Sequence, residues 1–144
     1  MNKKIICCLL IILTTFIITG CNSKRINNNI SEAVKTMKVI INNNEYIVNL
    51  ENNEAVASFL DLLPKEFNMS ELNGNEKYVY LDESLPSKSS NIGKINKGDV
   101  MLYGDDCLVI FYKSFNTSYS YTKIGHIDNL PDLGNGSVKV KFIK

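Results

Sequence analysis

Lys97-Gly98-Asp99-Val100-Met101-Leu102-Tyr103-Gly104-Asp105-Asp106-Cys107-Leu108-Val109-Ile110-Phe111-Tyr112-Lys113 is the stretch that decides the fold. Two short apolar runs, Asp99 to Tyr103 and Cys107 to Lys113, lie on either side of the turn-forming Asp105-Asp106. Runs of that length bounded by polar turns are strands rather than helices. Upstream, Lys38-Val39-Ile40-Ile41 and Tyr46-Ile47-Val48-Asn49-Leu50 flank Asn42-Asn43-Asn44-Glu45. Asparagine tolerates the positive φ of tight hairpin turns, so a β-hairpin is predicted there. A second hairpin follows from a strand within Glu66 to Leu72, the Asn73-Gly74-Asn75 turn and the strand Lys77 to Leu81. Downstream, Thr117 to Ile127 mixes aromatic and β-branched residues. In Val138 to Ile143, Val138, Val140 and Phe142 alternate with Lys139 and Lys141.

One helix is predicted, from Glu54 to Leu63. Asn53 can cap it, Glu54 is favourable in the first turn, and Pro64 ends it. Val56, Phe59, Leu60 and Leu63 recur at helical spacing, which turns one face toward the strands. The fold class is therefore mainly β: a small closed or half-closed barrel with one short helix, closure removing the exposed strand edges. Asp82 to Gly98 reads as one long polar loop with Pro86, Ser87, Ser89, Ser90 and Gly93. A loop of that length in a small domain is usually functional or mobile.

The chain has 144 residues, 44% hydrophobic and 22% charged, which suits one packed globular domain. Its N-terminus has the anatomy of an export signal: basic Lys3 and Lys4, then an apolar run from Ile5 to Ile18 interrupted only by Thr14 and Thr15. As a helix that run would span roughly 20 Å, short of a hydrocarbon core of roughly 30 Å, so a permanent span is the weaker reading. Ile18-Thr19-Gly20-Cys21 resembles the lipobox of bacterial lipoproteins. The resemblance implies a signal over 1–20, lipid on Cys21 and a position on the extracytoplasmic face of the cell membrane. The alternative is an ordinary signal cleaved near Gly20, which would release a free secreted protein. Residues 21–37 are polar, with Asn27-Asn28-Asn29 in the middle, and read as a tether; the domain is expected over 38–144.

Loss of Lys3 and Lys4 takes the basic count from 16 to 14 against 15 acidic residues, so the mature side chains sum to about −1. Nucleic acid is not an expected partner. Cys7 and Cys8 leave with the signal and Cys21 carries lipid, which leaves Cys107 as a lone thiol without a disulfide partner. Its apolar setting reads as a small buried hydrophobe rather than a nucleophile. His126 is the only histidine and can titrate near neutrality, yet no second histidine or nearby cysteine supplies metal-ligand spacing. No phosphate loop, nucleophile elbow or HExxH is found, and neither a cofactor nor a metal is expected.

Aromatic residues carry the remaining signal. Tyr103, Phe111, Tyr112, Phe115, Tyr119 and Tyr121 crowd together with Ser114, Asn116, Thr117, Ser118 and Ser120 between them. Tyrosine among small polar residues makes adaptable contact surface. Phe111 reads as core, whereas Tyr103, Tyr112, Tyr119, Tyr121 and His126 are the candidate groove contacts. The ligand could be a peptide, a protein or a small molecule, and the oligomeric state is left open.

Lys97-Gly98-Asp99-Val100, Leu108-Val109-Ile110-Phe111-Tyr112 and Ser120-Tyr121-Thr122-Lys123-Ile124-Gly125-His126-Ile127 together resemble the signature of bacterial cyclophilin-like domains. The signature is a "GD" entering a strand, an apolar strand ending in "FY", and a closing glycine-x-isoleucine. The resemblance covers about Lys38 to Lys144 and implies a barrel. Active cyclophilins lower the barrier of about 18 to 20 kcal/mol to rotation about the bond preceding proline. The resemblance implies an arginine, a glutamine and an aromatic proline pocket, often with tryptophan, for that work. This chain has no Trp and no Gln, and its one Arg is Arg25 in the tether. A well-aimed donor in a transition state contributes about 3 to 4 kcal/mol, so a binding module without isomerase activity is the leading expectation. A weak prolyl isomerase or folding helper for exported proteins is the alternative.

Overall fold

The computed structural model describes residues 34–144. The signal expected over 1–20, the lipid site Cys21 and the tether up to residue 33 lie outside the described residues. The first strand, β1 (Thr36–Ile41), opens two residues ahead of the expected start and pairs with β2 (Asn44–Leu50). Asn42 and Asn43 make the turn between them, with φ of 47° and 68°. Both values are left-handed, as the two-residue hairpin turn that matches strand twist requires.

The helix α1 (Glu54–Asp61) starts where the cap places it. Asn53 Oδ1 accepts a hydrogen bond from the Val56 N–H at 2.9 Å, and its Nδ2 donates to the Lys123 carbonyl at 2.8 Å. The cap thus also ties the helix to a distant strand. Ala55, Val56, Phe59 and Leu60 are buried, and the Phe59 ring meets Phe142 edge-on at 5.3 Å. Complete burial of a side chain such as Phe59 contributes roughly 1.5–3 kcal/mol, which fixes the helix on the barrel core.

β3 (Lys65–Leu72) and β4 (Glu76–Tyr80) form the second hairpin, β7 (Asp99–Tyr103) and β8 (Cys107–Phe111) the third. β10 (Ser120–Ile127) and β11 (Val138–Ile143) complete the main strands. The order β2-β1-β11-β3-β4-β8-β7-β10 returns to β2, which closes an eight-stranded antiparallel barrel. Closure requires a bend in β10. Ile124 is an extra residue between Lys123↔Met101 and Gly125↔Val100, a bulge that turns the strand from β7 toward β2.

Glycine is needed at that seam. A Cβ on Gly125 would lie 2.4 Å from the Asn49 carbonyl oxygen of β2. One on Gly98, whose φ is +98°, would lie 2.2 Å from the Ile127 carbonyl oxygen.

Two cores follow from strand parity. Val39, Ile41, Val48, Val100, Leu102, Leu108, Ile110, Val140 and Phe142 fill the barrel interior. On the outer face of the same wall, Met101, Cys107, Val109, Phe111 and Tyr121 form a second cluster with Ile95. Burial on both faces is why β7 and β8 read as unbroken apolar runs.

The segment expected as one long loop supplies the cover. Within it, β5 (Ser90–Asn91) pairs with β10, and β6 (Lys94–Ile95) pairs with β9 (Phe115–Asn116). Leu85 and Ile95 are buried, and the Leu85 N–H donates to the Asp105 carbonyl at 2.7 Å. The expectation of one long polar loop is corrected: the segment carries two short strands, and its few apolar residues pin it to the barrel.

Candidate functional site

On the outer wall formed by β4, β8, β7 and β10 lies a half-open pocket of about 310 Å³. Its floor is Cys107 and Val109 of β8. Tyr78 and Tyr80 of β4 stand on one side, Tyr103 of β7 with Tyr121 and Tyr119 on the other. Leu72, Asn73 and Glu76 close the end at the β3–β4 hairpin. Five of the seven tyrosines in the chain therefore face one pocket. Parity brings them there, since side chains two apart on a strand share a face.

The rings stand crosswise. Tyr103 and Tyr119 have centroids 6.0 Å apart and planes at 86°, and Tyr78 and Tyr80 are 6.0 Å apart at 83°. Tyr103 also packs on Tyr121 at 5.6 Å. Among the described residues, four of the six exposed large apolar side chains, Leu72, Tyr80, Tyr103 and Tyr119, belong to this one lining. Isolated exposed apolar residues are ordinary, whereas a contiguous patch rimmed by polar groups marks a contact surface.

Electrostatics set the pocket's character. Burial and then the Glu71 carboxylate push the Glu76 carboxyl above its ordinary value. The Tyr121 phenol is pushed up to about 12, by burial and by Glu76. Burial and the Asp106 carboxylate push the Cys107 thiol up to about 11, which leaves it protonated and unreactive at neutral pH. Among the described residues no lysine, arginine or histidine lines the pocket.

Tyr103, Tyr119 and Tyr121 of the candidate groove residues are brought together here. Tyr112 is not with them. Its side chain points into the barrel, is 1% exposed, and its hydroxyl donates to Glu71 Oε1 at 2.8 Å. Tyr112 shares the parity of Leu108 and Ile110 rather than that of Cys107 and Val109, a signal that strand alternation already carried. His126 is also elsewhere, at the β10–β7 crossing. Its Nδ1 lies 3.0 Å from Asp99 Oδ1, while Asp99 Oδ2 accepts from the Asn96 N–H at 2.8 Å. Tyr78, Tyr80 and Glu76 were not among the sequence candidates.

Gly98-Asp99 and Gly125-His126 thus interlock at the seam where the barrel closes, with Gly98 against the His126 ring and Gly125 against β2. These two glycine-containing parts of the recognisable pattern serve closure, whereas Val109 and Tyr121 from the rest of it line the tyrosine pocket. A model of the cyclophilin-like family matches residues 39–143, nearly the whole barrel. The chain belongs to the cyclophilin-like family. No curated protein and no solved structure shows a significant match to it.

In this cyclophilin-like domain the pocket offers aromatic surface, one carboxylate and phenol hydroxyls. These groups suit recognition by packing and charge. Among the described residues no three His, Cys, Asp or Glu side chains assemble as a metal-ligand set, and no helix is long and apolar enough to cross a membrane.

Proposed function

We propose that the chain is a lipid-anchored, extracytoplasmic binding module whose cyclophilin-like barrel takes a ligand in the tyrosine pocket without turning it over. The observation that carries the reading is the convergence of Tyr78, Tyr80, Tyr103, Tyr119 and Tyr121 on one concave surface beside Glu76. Aromatic side chains give large contact area at low entropic cost, and their clustering is the usual mark of an energetic hot spot. The lipobox-like Ile18-Thr19-Gly20-Cys21 supports the anchor, since a diacyl attachment holds a protein stably to a bilayer. The domain has neither arginine nor glutamine to act on a twisting prolyl bond, which favours binding over isomerisation.

The test uses the full chain in cells of its own source, with a photoreactive phenylalanine analogue at Tyr119 or, as a control, at Ile47 of β2, which is also exposed but lies outside the pocket. The reading expects an adduct from position 119 that Tyr103→Ala abolishes, and none from position 47. Equal labelling at both positions, or none at either, overturns it. In the same cells, Cys21→Ser is expected to move the protein from the detergent phase to the aqueous phase.

A further inference from the structure

Glu76 stands out within the pocket. It is half-buried, and among the described residues its carboxylate has neither an ion pair nor a side-chain hydrogen bond, although six lysine–carboxylate ion pairs occur elsewhere in the domain. A carboxylate withdrawn from water without a partner carries a free-energy cost. A neutral ligand entering the pocket would bury it further with nothing in return, and an anionic one would be repelled. A cation would relieve it.

The walls point the same way. Tyrosine faces attract cations within about 6 Å of the ring centroid, and the attraction grows when the cation leaves water. The crosswise pairs Tyr78–Tyr80 and Tyr103–Tyr119 wall the pocket from more than one direction. Resting on the binding reading above, we infer that this pocket is a cage for an alkylammonium group, with Glu76 supplying the opposite charge and the tyrosine rings the walls. The group can arrive on a small amine or on a lysine side chain.

The upward shifts of the Glu76 carboxyl and the Tyr121 phenol agree with a pocket that disfavours its own negative charge until a cation enters. No lysine of the domain fills the cage from within: Lys77, the next residue, turns to the barrel interior, where its ammonium is held by Glu71 and the Gly134 and Gly136 carbonyls.

The experiment titrates the full chain carrying Cys21→Ser, which keeps the domain intact and removes the lipid site. Backbone amide shifts of β4, β8 and β10 are followed by NMR against choline and against 3,3-dimethylbutan-1-ol, its neutral isostere. Choline is expected to bind at least about tenfold more tightly than the isostere. Glu76→Gln is expected to reduce that difference severalfold, leaving only the part that the tyrosine faces supply. Nα-acetyl-lysine methylamide assigns the source: tighter binding than choline places the ammonium on a peptide, weaker binding on a small amine, and either supports the cage. Equal binding of choline and its isostere overturns the cage while leaving a ligand pocket standing. Binding of the isostere alone does the same. No shift with any of the three overturns the cage, and the crosslinking at Tyr119 then decides the binding reading separately.

Discussion

Lys77 and Glu71 sit directly opposite each other across the β3–β4 hairpin, and both side chains turn into the barrel, where they form an ion pair with the lysine wholly buried. The ammonium has three donors, and it spends the other two on the Gly134 carbonyl at 2.5 Å and the Gly136 carbonyl at 2.8 Å. Glu71 in turn accepts from Tyr112 at 2.8 Å, and the Tyr112 ring lies 4.9 Å beneath Lys77 Nζ. A single buried charge pair thereby joins the hairpin that ends the pocket, the strand that floors it and the segment leading into β11.

Removing one partner of such a pair strands the other. Lys77→Met is expected to cost roughly 3–5 kcal/mol, because Glu71 loses its counter-charge and two carbonyls lose their donor. Urea unfolding of the variant beside the parent measures it, and a loss under about 1 kcal/mol would show the pair to be incidental.

The same pair shapes the acid limit of stability. Burial raises the Glu71 carboxyl, but the hydrogen bonds from Lys77 and Tyr112 outweigh it and hold the group below its ordinary 4.5. A carboxyl depressed by folding contributes its stability in full above the unfolded value and gives it up as the pH falls through the folded value. Stability is therefore expected to decline as the pH drops below about 4.5, and Glu71→Gln, weaker at neutral pH, is expected to show a flatter acid limb. Unfolding free energies measured from pH 7 down to pH 3 provide the check.

Closure rests on two glycines. Gly125→Ala drives a methyl group into the Asn49 carbonyl across the β2–β10 seam, and Gly98→Ala adds an unfavourable φ to a clash with Ile127. Each is expected to cost at least the upper end of the usual overpacking range, about 3 kcal/mol. Amide exchange should accelerate first along β2 and β10. Exchange unchanged in that seam would contradict the role assigned to Gly125.

Features written in neighbouring residues were legible in the sequence. The Asn42-Asn43 and Asn73-Gly74 turns, the Asn53 cap and the alternation of Val138 to Ile143 each state their structure within a few positions, and each is found. The pocket was legible only in part. Nothing local to Tyr78 and Tyr80 marks them as pocket residues, and only the pairing of β4 with β8 sets them across from Tyr103 and Tyr121. Lys77 reads as exposed in its local pattern, and Glu71 opposite together with two glycine carbonyls nearly sixty positions away buries it. Leu85, Ile92 and Ile95 are too widely spaced to read as a strand, yet Leu85 packs into the main core while Ile92 and Ile95 hold the 82–98 segment against the outer cluster.

Ligand binding should depend on the ionisation of Glu76. Its carboxyl is raised by burial and by Glu71, while Tyr78 beside it, Phe111 opposite it and Tyr121 from β10 bring no positive charge. Choline binding is accordingly expected to fall away on acidification with a midpoint above the ordinary carboxyl value of 4.5. Glu76→Gln should bind weakly at every pH. A midpoint at or below 4.5 would mean that another group governs binding.

Binding without turnover is tested most directly by exchange NMR on a short peptide carrying Lys-Pro, followed with and without the Cys21→Ser chain. The lysine signals report occupancy of the pocket, and the proline signals report cis–trans exchange in the same tube. The account predicts lysine shifts that saturate while the exchange rate stays at its uncatalysed value. Exchange that speeds up in proportion to the protein, and returns to the uncatalysed rate in Tyr103→Ala, would contradict it and make the tyrosine pocket a prolyl isomerase site.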